Sequence, residues 1–164
     1  MNKVLCVLAA ALILLTGCSS SVQERGRLTF YYLQKDYLHS SGESVLSGEK
    51  RSVVGTMEAI LQSYLQGPHS NALISPFPEG IQLEELKLEN RCLYIDLGKS
   101  LASLTEIRLT LACSALANTC FSLWDIDQVE IRAGGSLLGD QDSITITKDS
   151  VLFTDDTTLG EDIS

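Results

Sequence analysis

The run from Met57 to Leu97 constrains this chain more than any other stretch, because its punctuation leaves the backbone few choices. Val53, Met57, Ile60 and Tyr64 recur at helical spacing, joined by Val54, Leu61 and Leu65, which predicts a helix from about Glu49 to Gln66. Arg51, Glu58 and Gln62 fall on its opposite, solvated face. Gly67 supplies the positive φ that stops a helix, and Pro68 cannot continue it. His69 to Gly80 then reads as a loop in which Pro76 and Pro78 hold the residues before them extended. Phe77 is placed to plug the end of the core. Ile81 and Leu83, then Leu86 and Leu88, alternate with a phase slip at Glu84-Glu85, the mark of a bulge. Asn90-Arg91 makes a tight turn, and Leu93, Ile95 and Leu97 alternate with Cys92, Tyr94 and Asp96. The two runs form a β-hairpin with one apolar face.

On either side of this unit the pattern is simpler. Arg27 to Leu33 is aromatic and β-prone, with Leu28, Phe30 and Tyr32 on one face. Gln34 to Gly48, which holds His39, is polar and reads as a loop. A second helix is expected from about Ser103 to Ser122, opened by a Ser103/Glu106 capping box. Leu109, Cys113, Leu116, Cys120 and Leu123 make its main stripe, while Ile107 and Leu111 lie on another side. A helix apolar on two faces is deeply buried or partly covered by a partner. Trp124-Asp125 ends it, Asp127 to Ala133 is a strand, Gly134-Gly135 turns the chain, and Ser143 to Thr147 alternates again. Val151 to Phe153 reads as a short further pairing segment. The physics therefore gives an α+β fold in β-α-β-β-α-β order, two helices packed on one face of a small mixed sheet.

The 164 residues suffice for one domain, and a net charge of −9 without a basic stripe argues against a nucleic-acid partner. The same charge gains nothing from anionic lipid, so membrane attachment has to be covalent or apolar. The N-terminus offers it. Lys3 precedes an apolar run from Val4 to Leu15, too short to span a bilayer but of signal-peptide length. Leu15-Thr16-Gly17-Cys18 follows and resembles the lipobox of bacterial lipoproteins, in which the cysteine thiol receives a diacylglycerol. Two acyl chains anchor stably where one binds reversibly. The expected organisation is a signal peptide over 1–17, lipidated Cys18 and a polar tether over 18–26, a domain over 27–154 and an acidic tail over 155–164. An ordinary signal peptide with an incidental Cys18 is the bland alternative.

Chemistry-bearing patterns are sparse. Dinucleotide, P-loop, nucleophile-elbow and zincin motifs are absent from the sequence. His69 and Ser70 adjoin without an orienting third group. Asp96 near Glu84 or Glu85 reads as a solvated face rather than an acid–base pair. After cleavage Cys92, Cys113 and Cys120 remain. On one helix, Cys113 and Cys120 stand about 10.5 Å apart in rise, beyond the roughly 7 Å a disulfide spans. Buried free thiols are the expected state, with a pairing of Cys92 to a helix cysteine left open, and no metal site or cofactor is expected.

Leu65-Gln66-Gly67-Pro68, Pro78-Glu79-Gly80, Tyr94-Ile95-Asp96-Leu97, Asn118-Thr119 and Val129-Glu130-Ile131, in this order, resemble the GerMN domain of sporulation and spore-germination lipoproteins of the GerM type. The resemblance runs from about Leu28 to Ser150. Trp124-Asp125 stands where the family usually has a Pro-Gly turn, and the family's type member carries two such domains against one here. The resemblance implies a fold similar to ring-building modules, no catalysis, and a role outside the membrane in assembling an envelope-spanning complex. The expected function is thus a lipid-anchored, extracytoplasmic, non-enzymatic scaffold or adaptor. Its partners would be the membrane, through Cys18, and envelope or sporulation proteins, with self-association open. An exposed sheet edge or the spare face of the second helix would make the contact. The alternative is a lipoprotein that acts on cell-wall material or binds a small ligand, with a cleft near Tyr31, Tyr94 and Asp96.

Overall fold

The computed structural model describes residues 27–36 and 45–150. Strand β1 (Arg27–Gln34) lies at the centre of a three-stranded sheet between β2 (Leu46–Ser52) and the short β3 (Leu73–Ile74). Helix α1 (Met57–Leu65) follows β2. The hairpin β4 (Leu83–Glu89) and β5 (Cys92–Leu97) opens a second sheet, in which β5 pairs in parallel with β6 (Gln128–Ala133) and β6 pairs antiparallel with β7 (Ile144–Thr147). Helix α2 (Glu106–Leu123) is the crossover between β5 and β6. The α+β class and the two helices stand as expected. The strands are more numerous than expected and divide into two sheets, one of them mixed.

One core joins the sheets. Phe30 and Tyr32 of β1, Leu93, Ile95 and Leu97 of β5, and Val129 and Ile131 of β6 are almost fully buried with Ile60, Leu61 and Tyr64 of α1. Helix α2 packs along β1 and also meets β6 and β7, so it is enclosed by both sheets. From Ala115 to Phe121 every residue is buried, which explains why its sequence is apolar on more than one side. Its second apolar side keeps only Ile107 fully in solvent, at 76% exposure. Phe77 closes the core as anticipated, its ring edge-on to Tyr64 with centroids 5.5 Å apart.

The hairpin follows the sequence closely. Asn90 and Arg91 take positive φ of 51° and 63°, the pair of left-handed residues that a type I′ turn requires. The register shifts between Leu83 and Glu85, where the phase slip lies.

Three local expectations are corrected. Residues 46–52 form β2 and not the first turns of α1. Gly55, at φ 150°, interrupts the chain, and Thr56 caps the helix by accepting from Ala59 N at 3.3 Å. The heptad-like spacing of Val53 had extended the helix through a segment whose backbone bonds are taken by β1. The expected loop from Gln34 to Gly48 therefore ends early, since Leu46 to Gly48 belong to β2. At α2 the cap residue is Thr105 without a side-chain cap bond, and Ser103 Oγ donates to Ser100 O at 2.6 Å inside a 3-10 turn over Lys99–Ser103. No Ser103/Glu106 box forms. The signal peptide, Cys18, the tether, His39, Val151 to Phe153 and the acidic tail lie outside the described residues.

Candidate functional site

The densest polar chemistry sits where β2 meets the end of α1. Arg51, expected in solvent, is 7% exposed. Burying a guanidinium is costly unless it is paired and its donors are used, and here both conditions hold. It pairs with Glu49 of the same strand, donates to Tyr32 Oη at 2.6 Å and to Gly67 O at 2.8 Å, and lies over the rings of Phe30 and Tyr32 at 5.1 and 5.2 Å. Tyr32 Oη in turn shares its hydrogen between Tyr64 O at 2.9 Å and Gly67 O at 3.2 Å. A cation and a phenol thus add to the capping of the helix C-terminus, where Tyr64 O also accepts from Gly67 N at 3.0 Å. Gly67, at φ 97°, turns its own carbonyl into the same cluster.

Glu49 extends the cluster to the following loop. Its carboxylate accepts from His69 N at 3.1 Å and Ser70 N at 2.7 Å. Burial pushes this carboxyl up, but the bonds from His69, Arg51 and Ser70 outweigh it and hold it below its ordinary value. Burial also drives the Tyr32 and Tyr64 hydroxyls well above the usual tyrosine range, offset in part by Arg51 at Tyr32 and chiefly by Thr119 at Tyr64. His69 and Ser70 therefore contribute main-chain donors to a structural tie, and no nucleophile–base pair is built from them. Arg51 and Glu49 were missed in the sequence because an Arg-Glu pair two apart reads as an exposed face unless the strand pairing is known.

A second set of hydroxyls closes the edge of β1 that β3 leaves unpaired. Thr119 Oγ1 accepts from Tyr31 N, Ser122 Oγ donates to Thr29 O at 2.8 Å, and Tyr64 Oη donates to Tyr31 O at 2.8 Å. Thr119 is fully buried. Beside it Asn118 Oδ1 is buried without a partner in the structure. The three described cysteines are free and buried. Burial raises the Cys113 thiol to about 12 and Cys120 higher still.

The outward face of the second sheet carries the polar residues that alternate with the core. Glu85 faces Asp96, which faces Arg132; Lys87 faces Tyr94, which faces Glu130. Of these, Glu85, Lys87, Tyr94, Asp96 and Arg132 line a shallow depression of about 280 Å³. Arg132 bonds Glu130 at 2.6 Å, and Asp96 Oδ1 accepts from Gly134 N at 2.6 Å. Tyr94 and Asp96 thus meet in one concavity as the ligand alternative required, whereas Tyr31 belongs to the other sheet and does not line it. At the hairpin tip Arg91 reaches Asp125 and Asp127, each through paired bonds of 2.6 to 2.9 Å. Those contacts pull both aspartates below their ordinary range. Among the described residues no three metal-ligating side chains gather, and no helix is long and apolar enough to cross a membrane.

A family model described as "Germane: Sporulation and spore germination" matches residues 29–139. The chain belongs to the Germane family. Its Germane fold is similar to the tandem GerMN domains of the sporulation protein GerM from Bacillus subtilis, with a TM-score of 0.55 at 16% identity over 78% of this chain and 47% of that one. It thus spans about half the length of that structure. A Clostridium perfringens protein described as a lipoprotein gives a TM-score of 0.46 at 18% identity, over 77% of this chain and 91% of that one. No curated protein matches. Within the Germane domain the quoted motifs acquire physical roles. Gly67 feeds the Arg51 cluster, Thr119 seals β1, and Asp96 holds the turn at Gly134.

Proposed function

We propose that this Germane domain is held outside the cell membrane by a diacylglycerol on Cys18 and works as a non-enzymatic scaffold or adaptor for envelope proteins in sporulation or germination. The observation that carries the reading is family membership in a chain that also opens with Lys3, an apolar run and Leu15-Thr16-Gly17-Cys18. The described polar clusters add support: Arg51, Glu49, Tyr32 and Thr119 spend their hydrogen bonds on the fold itself. The contact surface we favour is a sheet edge. The spare face of α2 shrinks to Ile107 once both sheets enclose the helix.

The test follows the protein through sporulation. Wild type should fractionate with membranes and carry a diacylglyceryl group at Cys18 by mass spectrometry, while Cys18→Ala should not. In-cell cross-linking should recover one specific envelope protein from wild type only. Unchanged membrane binding of Cys18→Ala would overturn the anchor, and recovery of lipid alone would overturn the scaffold.

A small-ligand reading has one observation behind it, the depression at Tyr94, Asp96, Glu85 and Arg132. Chemical-shift changes confined to those residues on adding cell-wall fragments would favour it over the scaffold.

A further inference from the structure

The edge of β4 has the chemistry of a surface made for its own copy. β4 is the terminal strand of the second sheet. Its hairpin is closed by a two-residue turn, so the flanking pair Glu89–Cys92 exchanges both ladder bonds, and Lys87 likewise faces β5. Leu86 and Leu88 then direct their N–H and C=O groups outward. No backbone bond from a loop or turn reaches either residue among the described residues. Helix α1 also lies against β4, yet Leu88 stays 51% exposed, an apolar side chain in solvent on a terminal strand.

We infer that β4 pairs antiparallel with β4 of a second copy about a two-fold axis at Leu88. The charges decide the register. With Leu88 opposite itself, Lys87 of each strand faces Glu89 of the other, and two opposite-charge pairs flank two stacked leucines. Centring on Lys87 would instead set Glu85 against Glu89. The bulge between Leu83 and Glu85 interrupts the edge further along, which confines the pairing to the hairpin end. Lys87 and Glu89 already lie 2.9 Å apart within one strand, at the exposed surface, and can exchange partners at little cost. The contact is short, so it belongs to the weak class of interfaces and gains from two copies confined to one membrane. The inference rests on the scaffold reading only for that confinement, and it names a partner of defined chemistry.

The test uses the full chain in membranes. Leu88→Cys should give a disulfide-linked dimer on oxidation, because an antiparallel hydrogen-bonded pair sets the two Cα atoms about 5.5 Å apart. Ile107→Cys, more exposed and off the edge, should not. In a Leu88→Cys background Lys87→Glu and Glu89→Lys should each lower cross-linking by about tenfold, as two attractive pairs become repulsive. Mixing the two variants should restore it, since each then faces its complement. Equal cross-linking at 88 and 107 would overturn the interface, and undiminished cross-linking of Glu89→Lys alone would overturn the register. Loss of membrane binding by Cys18→Ala is read separately, so a failed anchor and a failed dimer are distinguishable.

Discussion

The main-chain N–H of Tyr31 donates to Thr119 Oγ1 at 2.9 Å across 88 positions of sequence. A strand edge that would otherwise present an open donor is finished by a helix side chain. The helix that does so is buried by both sheets, so this bond also sets how far α2 slides along β1.

Replacing Thr119 by Val keeps the shape and removes the acceptor. The Tyr31 amide is then left unsatisfied, which costs about 1–3 kcal/mol. Urea unfolding should show that loss with an unchanged slope. Ser122→Ala, at an exposed position, should cost less than half as much.

Arg51→Met tests the buried cluster. It strands Glu49 and removes donors from Tyr32 Oη and Gly67 O, and breaking a buried pair from one side costs about 3–5 kcal/mol. The amides of His69 and Ser70 should lose hydrogen-exchange protection first, because their acceptor is the carboxylate that Arg51 holds.

Glu49 also gives the fold an acid sensitivity of known sign. Its carboxyl lies below the ordinary 4.5 in the folded state. The stability it supplies is complete above pH 4.5 and is lost as pH falls through the lower folded value. The melting temperature of wild type should exceed that of Glu49→Gln at neutral pH, and the gap should close in acid.

Thiol reactivity offers an independent check of burial. Cys113 is raised to about 12 by desolvation, and Cys120 is fully enclosed. Neither should react appreciably with an aromatic disulfide reagent at pH 8 until denaturant is added.

The turn makes a backbone prediction. Asn90 sits at φ 51°, where an ordinary side chain is strained. Asn90→Gly should be neutral or slightly stabilising, and Asn90→Ala should cost about 1 kcal/mol. Thermal melts of the two variants against wild type decide it.

What the sequence determined by itself is local. Gly67-Pro68 ends α1, Asn90-Arg91 turns the hairpin, Glu84-Glu85 marks the bulge, and the order of short motifs points to the family. Each depends on a φ angle, a missing N–H or a side-chain period, all properties of neighbours in the chain. Tertiary structure alone decided that residues 46–52 are a strand, that Arg51 is buried and that Thr119 seals β1. Glu49-Lys50-Arg51 carries as good a helical pattern as a strand pattern. The choice between them comes from the amides of β1, which lie about twenty positions away. A cation enters the core only when the phenol, the carbonyls and the carboxylate that satisfy it arrive together, and they come from β1, β2, the end of α1 and Gly67.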